Sequence, residues 1–195
     1  MNGSRPREFV ASVCVFCGSS QRVNPEYFAM AQAVGELLAA RNIRVVYGGA
    51  SVGMMGALAD AAMARGGEVF GVIPHSLDKR ELTHRGLSEL RMVESMHERK
   101  EVMFAASDAF VALPGGYGTL DELFEALTER QIGLHEKRTV LVEREGFWNG
   151  LQQWIARAVQ EQFVPEHVAR ALEVVEGLEG LEGWLDGFVS AGQAR

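Results

Sequence analysis

The chain has 195 residues, 47% hydrophobic and 23% charged, with a formal net charge of −7. That size and apolar content suit one globular domain over 1–195 with a sizeable core, and residues 1–8 are expected to form a flexible N-terminus. The acid excess excludes a basic nucleic-acid face, no apolar run approaches the roughly 18 residues of a membrane span, and the N-terminus lacks the apolar core of a signal peptide, so a cytoplasmic protein is expected.

In chain order, FVASVCVF (9–16) reads as a buried strand, 25–41 as a helix opening on Pro25, and IRVVY (43–47) as a second strand. A glycine loop, GGASVG, leads into a helix over 54–65. A third strand covers 68–73 and closes at Pro74. Residues 75–90 carry no period and read as a long loop, a feature often functional in compact domains. Then follow a strand (90–94), a helix (96–107), a continuously apolar strand (108–114), a helix (119–133), a strand (139–143) and a helix (147–163). The tail from Leu172 predicts a last short strand and helix, with EGLEGLEG a helix start rather than a tandem array.

Alternating strands and helices with nearly continuous apolar strands predict an α/β, Rossmann-like, doubly wound parallel sheet with helices on both faces. Ligands of such sheets collect at the carboxyl ends of the strands. Three loops fall there: CGSS (17–20), GGASVGMMG (48–56) and PGGYGT (114–119).

Cys14 and Cys17 form a C-x-x-C with no second pair and no nearby histidine, so they read as two small buried residues on opposite faces of a strand. The five histidines show no metal-ligand spacing, and no G-x-S-x-G elbow occurs. GGASVG lacks the Lys-Ser/Thr of a phosphate loop and reads either as ligand-binding or as close helix–sheet packing.

In PGGYGT, glycines let backbone amides converge on an anion at a helix N-terminus. The alternative is a tight turn that needs positive φ. Asp121 stands where a dinucleotide fingerprint has its third glycine, so that motif is incomplete. Asp121 and Glu122 are expected in the first helical turn, and two readings follow. Thr119 and Glu122 fit a capping box, with Asp121 compensating the helix dipole. Alternatively, Glu122 points past a loop-bound phosphate to a sugar, facing the anomeric carbon where positive charge develops as a glycosidic bond breaks. MHERK (96–100) reads either as a solvated helix face or as a site at which Arg99 grips a phosphate or ribose with Lys100 beside it.

Together, VCVFCGSS (13–20), VYGGASVGMMG (46–56), GVIP (71–74), MHERK (96–100) and SDAFVALPGGYGTLDELFEALT (107–128) resemble, in order, the blocks of the LONELY GUY family of cytokinin riboside 5′-monophosphate phosphoribohydrolases. The resemblance covers about 11–190. It implies a homodimer that hydrolyses a nucleoside monophosphate, a small-molecule nucleotide, to free base and ribose 5-phosphate. By position it makes Arg99 and Glu122 the catalytic pair. It makes Gly115, Gly116, Tyr117, Gly118 and Thr119 the substrate's phosphate loop, places Lys100 and Asp121 along the site, and puts Glu81 in contact with substrate. It implies no metal and no organic cofactor, no nucleic acid and no membrane. The chain departs from the family pattern at Ala50, Met54, Asp121, Glu129, Arg130 and Arg138; the last three bear on the base pocket or the dimer edge. The competing reading is a non-catalytic nucleotide or cofactor carrier on the same fold.

Overall fold

Apolar runs too continuous for a one-sided strand become the centre of a sheet covered on both faces. The computed structural model describes residues 11–78 and 82–193. Residues 1–8 and Glu81 therefore lie outside the described residues. In chain order the elements are β1 (Ala11–Phe16), α1 (Pro25–Ala40), β2 (Ile43–Tyr47), α2 (Gly53–Ala64), β3 (Val69–Pro74), a 3-10 turn (His75–Leu77), β4 (Glu89–Val93), α3 (Met96–Ala105), β5 (Ala109–Ala112), α4 (Tyr117–Gln131), β6 (Arg138–Glu143), α5 (Asn149–Gln160), α6 (Glu166–Ala169), β7 (Leu172–Glu176) and α7 (Gly177–Gln193).

Among the described residues the strands form one parallel sheet in the order β4-β3-β2-β1-β5-β6-β7. Side chains alternate across it. Val13 and Val15 join the core under α1, α2 and α7, whereas Cys14 and Phe16 join the core under α3 and α4. Cys14 and Cys17 accordingly fall in different cores and are both free thiols, as the strand period predicts.

The helix boundaries follow local chemistry where such chemistry exists. Asn24 caps α1 by accepting from the Glu26 amide at 3.1 Å, and Pro25 takes the first helical position. Ser95 caps α3 by accepting from the Glu98 amide at 3.0 Å, and the Glu98 carboxylate accepts from the Glu94 amide at 2.7 Å. The run EGLEGLEG begins α7, as expected.

β1 pairs with β2 on one side and β5 on the other. From β1 the chain turns to α1 on one face of the sheet, and from β5 it turns to α4 on the other. The carboxyl ends of these two neighbours form the topological switch point, where connections part and leave a crevice.

Candidate active site

Three loops meet at that crevice and are laced by backbone hydrogen bonds. Gly18 N donates to Pro114 O at 3.2 Å, and Met54 N donates to Gly18 O at 3.0 Å. The cleft between them measures about 430 Å³. Its rim carries the glycine loop from Gly115 to Thr119, and its floor carries Arg99 and Glu122.

The glycine loop is not a positive-φ turn, and its helix starts earlier than the sequence predicts. α4 begins at Tyr117 and not at Thr119. Gly116 is its N-cap, in an extended conformation with no side-chain cap, and Leu120 N is the first amide to bond back, to Gly116 O at 3.1 Å. The amides of Tyr117, Gly118 and Thr119 therefore precede the helical ladder and have no intrahelical acceptor. Among the described residues the positive-φ glycines do not include Gly115, Gly116 or Gly118, so turn strain does not explain them. Space does. A Cβ on Gly115 would lie 2.0 Å from Thr119 Oγ1, whereas one on Gly116 or Gly118 would meet nothing within 4 Å. The last two glycines keep the approach to the free amides open.

The helix start also removes the capping box. Thr119 is the third helical residue, and Asp121 and Glu122 lie past the first turn. Both the capping role for Glu122 and the dipole role for Asp121 fall with that register. The Glu122 side chain instead turns inward and is 8% exposed. Burial pushes its carboxyl up to about 7, an effect partly opposed by the Arg99 guanidinium.

Arg99 is the opposing cation, and its whole fork is held. Nε donates to Val72 O at 3.1 Å, Nη2 donates to Gly48 O at 3.1 Å, and Nη1 rests 3.7 Å from Met96 Sδ. Nη2 lies 3.7 Å from Glu122 Oε1. The guanidinium thus ties the carboxyl ends of β2 and β3 to α4. The solvated-face reading of MHERK holds for His97, whose side chain is 74% exposed, and fails for Arg99 and Lys100, which are buried.

Lys100 and Asp121 are adjacent to this site without lining the cleft. Lys100 Nζ bonds Asp121 Oδ2 at 2.9 Å and also pairs with Glu125 Oε2. Glu81 lies outside the described residues. The GGASVG loop acts mainly through packing: Gly48 abuts Arg99, and Gly53, at φ 64, abuts the Ser19 backbone. Sequence reasoning missed Val23, Tyr27 and Phe147, which close the apolar side of the cleft, Tyr27 and Phe147 meeting edge to face at 6.0 Å. Their signal was positional: Val23 and Tyr27 follow β1, and Phe147 follows β6, at carboxyl ends.

The profile of the family described as "Possible lysine decarboxylase" matches residues 55–181. The chain is 45% identical over 174 residues to the Arabidopsis thaliana cytokinin riboside 5′-monophosphate phosphoribohydrolase LOG4, covering 86% of this chain and 81% of that protein. The chain belongs to the LONELY GUY family. It is 47% identical over 152 residues to the probable rice (Oryza sativa subsp. japonica) enzyme LOGL6, covering 78% of this chain but 61% of that protein's length. Among solved structures it is similar to the molybdenum cofactor carrier protein of Chlamydomonas reinhardtii, with TM-score 0.70 at 18% identity over 92% of this chain and 98% of that one. That likeness shows the Rossmann-like fold the LONELY GUY chain shares with it, and nothing of the site.

Proposed function

We infer that the chain hydrolyses the N-glycosidic bond of a purine nucleoside 5′-monophosphate, such as AMP or an N6-modified AMP, to free base and ribose 5-phosphate. The observation that carries this reading is the buried Arg99–Glu122 pair at the floor of a cleft whose rim is the amide-bearing loop 115–119. It agrees with the activity named for the phosphoribohydrolases at 45–47% identity.

The phosphate docks on the amides of Tyr117, Gly118 and Thr119, with the positive end of α4 behind them. The ribose then extends over Glu122. The C1′–N bond breaks as water supplies the new C1′–O bond, and the proton released from water ends on the departing base. Ionised Glu122 stabilises the cationic sugar and accepts a hydrogen bond from the attacking water. Arg99 holds that carboxylate in place and favours its charged form. Substrates without the phosphate lose most of the rate, because remote binding energy positions the scissile bond.

The carrier reading gains nothing from a buried carboxyl beside an anion loop, which repels the ligand it would retain. The cytoplasm is the proposed location, and among the described residues no helix is long and apolar enough to cross a membrane. A homodimer is supported by large apolar side chains left in water: Ile132, Leu134, Trp154 and Phe163 are 64%, 68%, 54% and 82% exposed.

The test is chromatography of products from AMP and N6-prenylated AMP with the parent chain and Glu122→Gln. The expected result is free base from the parent and loss of roughly a thousandfold or more in the variant. Release of base at the parent rate by Glu122→Gln sinks the reading. Tight retention of nucleotide with no base released favours the carrier.

A further inference from the structure

Arg99 and Lys100 leave α3 in different directions. Arg99 turns to the sheet and the cleft. Lys100 crosses to α4, where its ammonium joins Asp121 and Glu125, and its side chain is 10% exposed. Asp121 and Glu125 stand four apart on α4 and share one face. Glu122 follows the first directly and precedes the second by less than a turn. Two carboxylates therefore flank the buried carboxyl at the floor of the cleft. Both oppose its ionisation, and Lys100 opposes them.

We propose that Lys100 is a positioning residue for hydrolysis: by bridging Asp121 and Glu125 across the α3–α4 seam it anchors the helix that carries Glu122 and cancels the two negative charges beside it. Lys100 and Asp121 are not among the cleft-lining residues, so this role works through Glu122 and not through substrate. The proposal rests on the reading of Glu122 given above and adds the device that keeps that carboxylate available near neutrality.

The charged groups facing Glu122 are Arg99 and Lys100 from α3 and Asp121 and Glu125 from its own helix. From the β1 side it faces the thiols of Cys14 and Cys17, which burial keeps neutral by pushing both well up. Beyond Glu125 stands His97, with Nδ1 4.0 Å from Glu125 Oε1. Arg99 is already engaged by two carbonyls, so Lys100 is the cation that answers the flanking carboxylates.

The test compares the parent chain with Lys100→Met, Lys100→Arg and Asp121→Asn, each checked for folding by thermal melting. Two midpoints are read: the acid limb of kcat/KM for AMP against pH, and the titration of the Glu122 carboxyl by carbon-13 NMR, assigned with Glu122→Gln. Lys100→Met moves both midpoints up by roughly half a pH unit or more, and Asp121→Asn moves them down. Lys100→Arg restores them. A lysine that only packs lowers kcat at every pH and leaves the midpoints still; that result, or shifts of equal sign in Lys100→Met and Asp121→Asn, overturns the proposal. If Lys100→Met does not fold, a midpoint in Asp121→Asn that fails to fall overturns it alone. If the parent chain releases no base, the reading of Glu122 as catalytic fails, while the NMR midpoints still decide the role of Lys100.

Discussion

The Arg99 guanidinium occupies the place a side chain on Gly48 would take: a Cβ on Gly48 would lie 1.5 Å from Arg99 Nη2. Gly48 also accepts a hydrogen bond from that nitrogen at 3.1 Å, so the same residue yields space to the fork and aims it.

Gly48→Ala therefore displaces Arg99 and, through it, Glu122. Overpacking costs about 1–3 kcal/mol of stability, and misplacement of the pair costs about a hundredfold in kcat. Thermal melting and initial rates on AMP check this, and the rate is expected to fall at temperatures where the variant is still fully folded.

The two glycines next to each other in the loop separate stability from binding. Gly115→Ala collides with Thr119 Oγ1 and is expected to destabilise the fold by about 1–3 kcal/mol. Gly116→Ala meets open space, so melting is expected to be unchanged while a methyl enters the space proposed for the phosphate. KM for AMP rises by about tenfold or more, and KM for adenosine changes far less. Equal effects on nucleotide and nucleoside would place the phosphate elsewhere.

The buried Glu122 carboxyl couples activity and stability to pH with opposite signs. Its folded value of about 7 lies above its ordinary value of 4.5, so the folded chain holds a proton that the unfolded chain releases between those values. Stability linked to that proton is complete below about pH 4.5 and is lost as pH rises through about 7, on the order of 3 kcal/mol in all. Turnover is expected to move the other way, because the proposed mechanism uses ionised Glu122, so that kcat/KM rises through about pH 7. Chemical denaturation at pH 5 and pH 8 is expected to show Glu122→Gln gaining on the parent chain at the higher pH.

The exposed apolar side chains give a separate test of the proposed homodimer. Trp154 packs edge to face on Phe124 at 5.6 Å and still leaves half its surface in water. Trp154→Glu or Phe163→Glu is expected to weaken self-association at least about thirtyfold, the cost of losing a central aromatic contact. Sedimentation measures it; unchanged association, or a monomeric parent chain, removes these residues from any proposed interface.

Much of the architecture was legible because the forces that set it act over a few residues. The strand Ile43–Tyr47 was read to its ends, since an apolar β-branched run between a helix and two glycines admits little else. The helix after the PGGYGT loop was read two residues late. Thr119 looks like a cap, but Gly116 in an extended conformation lets the helix start earlier, and no side chain announces that. Tyr27 and Phe147 escaped notice because an aromatic on a helix or loop carries no local sign of the cleft it closes.

From residue order alone came the parallel sheet, the glycine loops at its carboxyl ends and the set of charged residues near them, because hydrophobic period and backbone chemistry are written locally. Whether Glu122 caps its own helix or turns into the cleft, and whether Arg99 and Lys100 point together or apart, was decided only in three dimensions. Those outcomes depend on which groups the crossovers bring together and how far they are withdrawn from water. Adjacent residues of one helix are carried to different partners, one to the sheet and one to a neighbouring helix.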